Sequence, residues 1–144
     1  MDRVEKCKEK FNQLFCAEPT ADQGSDAEFM RILQRFIFCV VCYAGPLDNR
    51  MRELVTLTVL TVNQTLPQIK AHTVACLNAG VTPVEIREAV YQCAPFVGFP
   101  KTLNAIDAMN QAFNEKGISL PLPSCETVSE ADRYKKGLQL QAPV

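Results

Sequence analysis

A histidine, a glutamine and a glutamate are the residues of this chain best suited to hold and deliver a proton. His72 is the only histidine among 144 residues, and imidazole changes its charge more readily near neutral pH than other side chains. Gln68 precedes it by four residues, so the two side chains share one face of a helix. Glu53 opens the apolar segment that comes before them. Together these groups could orient an imidazole and protonate a bound molecule.

Two neighbouring segments must position these groups. Residues 51–63 read MRELVTLTVLTVN and residues 68–80 read QIKAHTVACLNAG, and both carry apolar residues at helical spacing. Pro67 suits the first turn of the second helix, and Gly80 suits the residue after its end. The pattern predicts a central αα-hairpin.

The hairpin pattern says less about the distance between the Glu53 carboxylate and the His72 imidazole. In a simple antiparallel hairpin, Glu53 lies about 9 Å further from the turn than His72, at the helical rise of about 1.5 Å per residue. The pattern therefore does not predict a direct hydrogen bond between them. A water, a substrate or a neighbouring subunit could fill the gap.

Helical periodicity continues through most of the chain and predicts an all-α fold. Six helices are expected at about residues 2–16, 26–44, 49–63, 67–79, 83–93 and 101–117. Asp26 and Asp48 are expected N-caps, and Thr82 with Glu85 forms a capping-box pattern. The second half of the second helix is apolar on nearly every side, so it should be buried by the domain or by another subunit. No segment shows the sustained period-two alternation of strands.

The organisation expected is one helical domain, residues 1–118, followed by a C-terminal tail or arm, residues 119–144. Pro121 and Pro123 favour an extended start of the tail, and residues 129–138 can form a short helix. The tail has too few apolar residues to build a core of its own.

Charge and composition narrow the classes of partner. The formal net charge is -1 and 22% of residues are charged, so we expect no nucleic-acid partner and no polybasic membrane segment. No apolar run approaches the roughly 20 residues of a membrane span. The amino terminus is charged where a signal peptide would be apolar, so we expect a cytoplasmic protein without membrane contact.

Seven cysteines with mostly apolar neighbours suggest reduced thiols rather than a disulfide framework. Cys39 and Cys42 form a CxxC pair, the arrangement that thiol oxidoreductases use. They lie late in an apolar helix, where burial raises the pKa of a thiol, so core packing is the favoured interpretation. Cys42 could still contact a substrate without reacting.

Metal and nucleotide chemistry have no pattern to support them. The chain lacks a Walker loop, a GxGxxG motif and an EF-hand pattern. With one histidine and no acidic cluster at ligand spacing, we expect no metal site and no cofactor.

Several short motifs stand in the order and spacing typical of one family. They are Leu47-Asp48-x-x-x-Arg52-Glu53-Leu54, His72, Leu77-Asn78-Ala79-Gly80-Val81-Thr82-Pro83-x-Glu85-Ile86, Ala94-Pro95-Phe96-x-Gly98-Phe99-Pro100 and Asn104-Ala105. Residues 26–115 thereby resemble the carboxymuconolactone decarboxylase family, which shares its fold with the AhpD-type alkylhydroperoxidases. The resemblance implies an AhpD-like helical protomer that assembles into trimers or hexamers, with sites near subunit contacts. The tail also looks like the opening of a second such domain, and a swapped arm or a vestige are further interpretations.

The resemblance also implies functional positions. AhpD-type enzymes carry a glutamate, a CxxC pair and a histidine; Glu53 and His72 stand at the acid and histidine positions, and Thr65 and Gln68 stand where the two cysteines would be. Neither of these two can supply a thiolate, so peroxide reduction lacks its nucleophile there. Decarboxylation without a cofactor requires only a bound carboxylate, an electron sink within the substrate and a positioned proton donor.

The function predicted is therefore decarboxylation of 4-carboxymuconolactone or a related small carboxylated acid, with His72 as proton donor and Glu53 as the second catalytic residue. Predicted substrate contacts are Gln68, Thr65, Cys42 and Phe99. The cation that binds the substrate carboxylate stays open among Arg50, Arg52, Lys70 and Lys101.

Two alternatives remain at this stage, an AhpD-like peroxidase that uses Cys39 and Cys42, and a non-catalytic protein that binds a small ligand. Each residue also has a structural interpretation. His72 could be a surface or packing histidine, Glu53 could pair with a neighbouring arginine, and Phe99 could be a core or interface aromatic.

Overall fold

The computed structural model describes residues 2–19 and 25–141, and all regular secondary structure within them is helical. The helices are α1 (Arg3–Phe15), α2 (Ala27–Cys39), α3 (Asn49–Asn63), α4 (Leu66–Asn78), α5 (Pro83–Gln92), α6 (Ala94–Val97), α7 (Phe99–Glu115) and α8 (Arg133–Gln141), with a 3₁₀ turn at Val41–Tyr43. The predicted all-α fold is confirmed. None of these helices combines the length and apolar character that a membrane crossing requires.

Helix α4 is central, because it packs against α3, α7 and α1. It forms the predicted hairpin with α3 through a tight turn at Gln64, whose backbone is left-handed with φ 58°. The Gln64 side chain joins this turn to α7: its amide donates to the carbonyl of Lys101 at 2.9 Å, and its oxygen accepts from Asn104 at 3.0 Å. The hairpin is thereby tied to the opposite side of the domain.

The larger hydrophobic core lies between α3, α4, α5 and α7. Its buried members are Leu57, Ile69, Cys76, Val81, Ile86, Val90, Ala105, Ala108, Met109 and Phe113. A smaller cluster joins α1 and α2 to α4 through Cys7, Leu14, Phe38 and Ala75. Two phenylalanines of α1 complete it, because the rings of Phe11 and Phe15 meet Phe38 edge-on at 5.2 and 5.9 Å.

The predicted helix starts are mostly confirmed. The Thr82 hydroxyl and Glu85 carboxylate form a complete capping box, and the Asp48 carboxylate accepts from the Met51 N–H at 2.8 Å. Asp26 precedes α2 as predicted, but its side chain makes no capping hydrogen bond. Its carboxylate accepts instead from the Ser25 hydroxyl at 3.1 Å.

Helix α2 is shorter than predicted. It ends at Cys39, and the chain then turns through Val40 into the 3₁₀ turn that contains Cys42. The β-branched Val40 and Val41 favour a helix only weakly, which agrees with an end at this point. The expected burial of this apolar region is incomplete within one protomer, since Phe36 is 59% exposed.

A disulfide joins Cys7 of α1 to Cys39 of α2, with the two Cα atoms 4.9 Å apart. The expectation that these two cysteines are reduced was wrong, because packing of α1 on α2 brings together thiols that are 32 residues apart in sequence. Disulfides persist mainly in oxidising compartments. The disulfide thus gives no support to the predicted cytoplasmic location, which stays a prediction.

The region between α5 and α7 also differs from expectation, because it contains the short helix α6, which none of the six predicted helices includes. After α7 the chain has no regular secondary structure up to α8, and Ile118 and Leu122 pack against the larger core. The Arg87 guanidinium donates to the carbonyl of Pro123 at 2.9 Å and holds this segment in place. Helix α8 has no buried residue.

Candidate active site

The carboxylate of Glu53 and the imidazole of His72 meet directly. Oε2 of Glu53 lies 2.6 Å from Nδ1 of His72, a distance typical of a short, charge-assisted hydrogen bond. The expected offset of about 9 Å, which assumed a simple antiparallel hairpin with a rise of about 1.5 Å per residue, was wrong. How α3 and α4 pack against each other, rather than their offsets from the turn, brings the two residues together.

This contact orients the imidazole. An ionised carboxylate can only accept hydrogen bonds, so the Nδ1–H of His72 donates to Glu53 and Nε2 is left for another partner. The Phe15 ring packs edge-on against the imidazole at 5.6 Å and limits its rotation. The Glu53 side chain is 6% exposed and that of His72 is 22% exposed. The acid is therefore buried behind an imidazole that a small molecule can reach.

A cavity of about 610 Å³ lies in front of this pair. Walls come from α1, α2, the 3₁₀ turn, α3 and α4, and most of them are apolar: Phe11, Phe15, Met30, Leu33, Ile37, Phe38, Val41, Leu47, Val55 and Leu60. The polar side chains that line it are Gln34, Arg52, Glu53, Thr56, Gln68 and His72. A volume of this size suits a small organic ligand, for which typical sites measure roughly 300–1,000 Å³.

Two of the four predicted substrate contacts lie in this cavity, namely Gln68 and Cys42. Thr65 does not line it, and its hydroxyl donates to the carbonyl of Leu60 at 3.4 Å in the hairpin turn. Phe99 is 75% exposed at the start of α7, beside a separate apolar cavity of about 330 Å³. The structure does not bring Thr65 or Phe99 to His72.

The cysteines near the site are poor nucleophiles. Cys39 is bonded to Cys7 and so does not form a dithiol pair with Cys42. Burial, and then the nearby Glu53 charge, raises the pKa of the Cys42 thiol. The same two causes raise the pKa of Cys76 to about 12. Since the thiolate is the reactive form, peroxide reduction at Cys42 has little chemical support.

The four residues predicted as candidates to bind the substrate carboxylate differ in their ion pairs and in their position relative to the cavity. Arg50 pairs with Glu85, and Lys70 lies 2.6 Å from Glu115. Neither these two residues nor Lys101 lines the cavity, whereas Arg52 does. Within residues 2–19 and 25–141, no group of three or more potential ligands from His, Cys, Asp and Glu is placed to hold a metal ion.

The contribution of α1 was missed by sequence reasoning. Phe11 and Phe15 lie on the apolar face of that helix, which the periodicity identifies, but the periodicity does not reveal which partner the face covers. Only the packing of α1 on α4 places the Phe15 ring beside His72 and the Phe11 ring in the wall of the same cavity. The sequence signal that could have indicated this contribution is the presence of Phe11 and Phe15 in a helix that is otherwise rich in charged residues.

Residues 27–111, well over half of the chain, match the family described as the carboxymuconolactone decarboxylase family. This chain belongs to the carboxymuconolactone decarboxylase family. The matched region contains α2 to α6 and most of α7, and therefore includes both Glu53 and His72. Helix α1 lies outside it, although its phenylalanines form part of the cavity wall.

Two curated proteins are similar to this family member. One is the 4-carboxymuconolactone decarboxylase of Acinetobacter baylyi, 29% identical over 92 residues, which are 64% of this chain and 69% of that protein. Another is nitrosuccinic acid decarboxylase npaB of Metarhizium robertsii, 33% identical over 69 residues, which are 48% of each chain. Both are named as decarboxylases, so the comparisons support a carboxy-lyase at the level of the family, at modest identity.

Proposed function

We propose that this protein is a cofactor-free decarboxylase of a small carboxylated lactone or a related acid, with His72 as the proton donor. The observation that carries the proposal is the Glu53–His72 hydrogen bond of 2.6 Å at the wall of a largely apolar cavity. Such a pair holds the imidazole in one orientation, as a positioned proton donor requires.

The names of the relatives support a substrate class. 4-Carboxymuconolactone contains an unsaturated lactone carbonyl, and nitrosuccinic acid contains a nitro group. Either group can take up the electron pair that remains when a carboxylate leaves as carbon dioxide. Substrates with their own electron sink need no cofactor for this step, so the class proposed is small acids that carry such a sink.

The reaction on the lactone balances with the groups at hand. The bond between the γ-carbon and its carboxylate breaks, carbon dioxide leaves, and the electron pair enters the lactone as a dienolate. The imidazolium of His72 gives its Nε2 proton to the α-carbon, which forms the enol-lactone. Nδ1–H stays hydrogen-bonded to Glu53, and Nε2 recovers a proton from water.

The apolar walls have a role in this proposal as well. A carboxylate that faces side chains such as Ile37 and Phe38 loses hydration, whereas carbon dioxide and a delocalised carbanion lose less. Desolvation therefore favours departure of the carboxylate. Gln68, four residues before His72, lines the same cavity, and in this proposal its amide hydrogen-bonds the substrate.

Self-association is part of the proposal. Apolar side chains of α2 and α3 stand half exposed near the cavity, among them Phe29, Ile32, Phe36, Val55 and Val59. Phe29, Ile32 and Phe36 recur at helical spacing and so share one face of α2, and an exposed apolar face of this kind favours contact with another copy. We therefore propose a homo-oligomer, a trimer or a hexamer. Light scattering after size-exclusion chromatography measures the mass and separates these states, and a monomer at micromolar concentration would contradict the proposal.

Product analysis tests the function directly. Purified protein is incubated with 4-carboxymuconolactone, or with nitrosuccinate, in chelator-treated buffer without added thiol, and carbon dioxide and the organic product are measured. We expect turnover by the wild type and a rate about 10²- to 10⁴-fold lower for His72→Ala, the usual contribution of a general acid. Lys70→Ala is the matched control, because Lys70 lies on the same helix and pairs with Glu115. Equal rates for wild type and His72→Ala would refute the proton-donor role.

A further inference from the structure

We propose that Arg52 binds a carboxylate that the substrate keeps throughout the reaction, so that the site selects acids with two carboxylates. This inference rests on the proposed function and adds to it a specificity-determining residue. It also assigns the two ends of the substrate, with the retained carboxylate on Arg52 and the leaving carboxylate against the apolar wall beside His72.

The position of Arg52 is the first argument. It precedes Glu53 in α3 and lines the same cavity as the Glu53–His72 pair. Its guanidinium is held in place by backbone carbonyls: Nε donates to Leu47 at 3.0 Å, and Nη2 donates to Ala44 at 2.5 Å. The group is thus pre-oriented, which lowers the entropy that ligand binding would otherwise cost.

The charge of Arg52 is the second argument. The acceptors that bind it, including Gly45 at 3.5 Å, are neutral carbonyls. Among residues 2–19 and 25–141, no carboxylate forms an ion pair with it, whereas Arg50 pairs with Glu85 and Lys70 pairs with Glu115. Arg52 is also the only lysine or arginine among the described residues that line this cavity. A positive charge without a counter-ion, in a ligand-sized cavity, is suited to an anionic ligand.

The chemistry of decarboxylation decides which carboxylate Arg52 holds. A cation paired with the leaving carboxylate stabilises the ground state. It loses that partner when neutral carbon dioxide forms, so this pairing would raise the barrier. A cation paired with a retained carboxylate binds ground state and transition state equally and leaves the other end in apolar surroundings. The second arrangement uses both Arg52 and the apolar walls.

Both named relatives are consistent with this arrangement. Nitrosuccinic acid is a dicarboxylic acid, and 4-carboxymuconolactone carries an acetate group in addition to the carboxylate that leaves. In each, one carboxylate remains after carbon dioxide departs. A substrate of this class therefore needs only one cation in the site, to bind the carboxylate that it keeps.

The competing interpretation is that Arg52 only holds the loop between the 3₁₀ turn and α3. Loss of a purely structural contact would lower activity toward all substrates alike. Loss of a carboxylate contact lowers activity only toward substrates that carry the second carboxylate. The ratio of kcat/KM for a di-acid to kcat/KM for its monoester, esterified at the retained carboxylate, separates the two interpretations.

The experiment compares wild type, Arg52→Met and Arg52→Lys on nitrosuccinate and on its monomethyl ester at the retained carboxylate. We expect Arg52→Met to raise KM for the di-acid about 10- to 100-fold, the usual cost of losing a charged hydrogen bond, with a smaller change for the ester. Arg52→Lys should retain part of the preference, since it keeps the charge but not the two-pronged geometry. Arg50→Met is the matched control and should leave the ratio unchanged. An unchanged ratio in Arg52→Met would overturn the inference.

Binding measurements separate this inference from the proposed function. Titration calorimetry with succinate and with monomethyl succinate requires no turnover. A preference of the wild type for succinate that disappears in Arg52→Met supports the carboxylate site even if no substrate is decarboxylated. If the wild type shows no preference, or Arg52→Met keeps it, Arg52 does not bind a carboxylate, whatever the enzyme assays show.

Discussion

Helix α4 has one face that is buried in the core and another that lines the cavity, and the residues of the two faces are neighbours in the sequence. Ile69, Thr73 and Cys76 are fully buried, and Ile69 and Cys76 belong to the larger core. Gln68 and His72, each one position earlier, line the cavity. One residue is about 100° of rotation on a helix. The comparison shows how a helix anchored on one side can hold a catalytic group steady on the other.

The two sides of α4 also differ in how completely they are filled. The larger core contains Phe113, Leu57 and Ile69 with no measurable exposure. The smaller cluster of α1 and α2 leaves a cavity of about 610 Å³ beside it. Close packing is the normal state of a protein interior, and unfilled volume reduces stability. Substitutions on the two sides should therefore separate effects on activity from effects on stability.

The largest expected effect is on the cavity side, at Glu53. Glu53→Gln replaces the carboxylate that accepts from the His72 Nδ1–H by an amide, which weakens the selection of the imidazole orientation. We expect the decarboxylation rate to fall about 10²- to 10⁴-fold, similar to His72→Ala. Glu115→Gln is the control, because that carboxylate is exposed and pairs with Lys70. A normal rate in Glu53→Gln, with the fold intact by circular dichroism, would mean that the hydrogen bond is purely structural.

The packed side should show the reverse pattern at Phe113. Phe113→Ala leaves a void in the larger core, and the free energy of unfolding should fall by about 3–5 kcal/mol. Activity per folded molecule should stay close to that of the wild type, because Phe113 does not line the cavity. Phe15→Ala is the opposite case, since that ring contacts His72 and its loss should change KM or kcat more than stability. Urea unfolding and steady-state kinetics on both variants would show whether the two sides are separable.

A smaller, pH-dependent effect is expected at Cys76, on the packed face of α4. The pKa of its thiol is raised from 9.0 to about 12, first by burial and then by Glu53. Below pH 9 the thiol is protonated in both the folded and the unfolded state, so it has no effect on stability. Above pH 9 the unfolded chain loses the proton and the folded chain keeps it, so stability falls as pH rises toward 12. The loss attributable to Cys76 should be about 1.4 kcal/mol at pH 10.

The measurement compares urea unfolding of wild type and Cys76→Ala at pH 7.5 and pH 10. Cys76→Ala is less stable at both values because it leaves a small void, but its further loss at pH 10 should be smaller than that of the wild type. Cys125→Ala, which removes an exposed thiol, is the control. Identical pH dependence in wild type and Cys76→Ala would show that this thiol does not remain protonated in the folded protein.

Local features of this protein were determined by the sequence alone. The capping box of Thr82 and Glu85, the N-cap at Asp48 and the turn between α3 and α4 all depend on hydrogen bonds between residues at most five positions apart. Helical periodicity likewise predicted the all-α fold, and ordered motifs indicated the family that the comparisons identify. Such features are readable because the interacting groups are close together in the sequence.

The site itself was decided by tertiary structure. Glu53 and His72, as well as Cys7 and Cys39, are far apart in sequence and meet only because of how particular helices pack. The same packing brings Arg52 to the cavity and leaves Phe99 away from it. Periodicity identifies which face of a helix is apolar, but not the rotation, offset and crossing of two helices. Those are set by the fit of many side chains at once, which no short stretch of sequence contains.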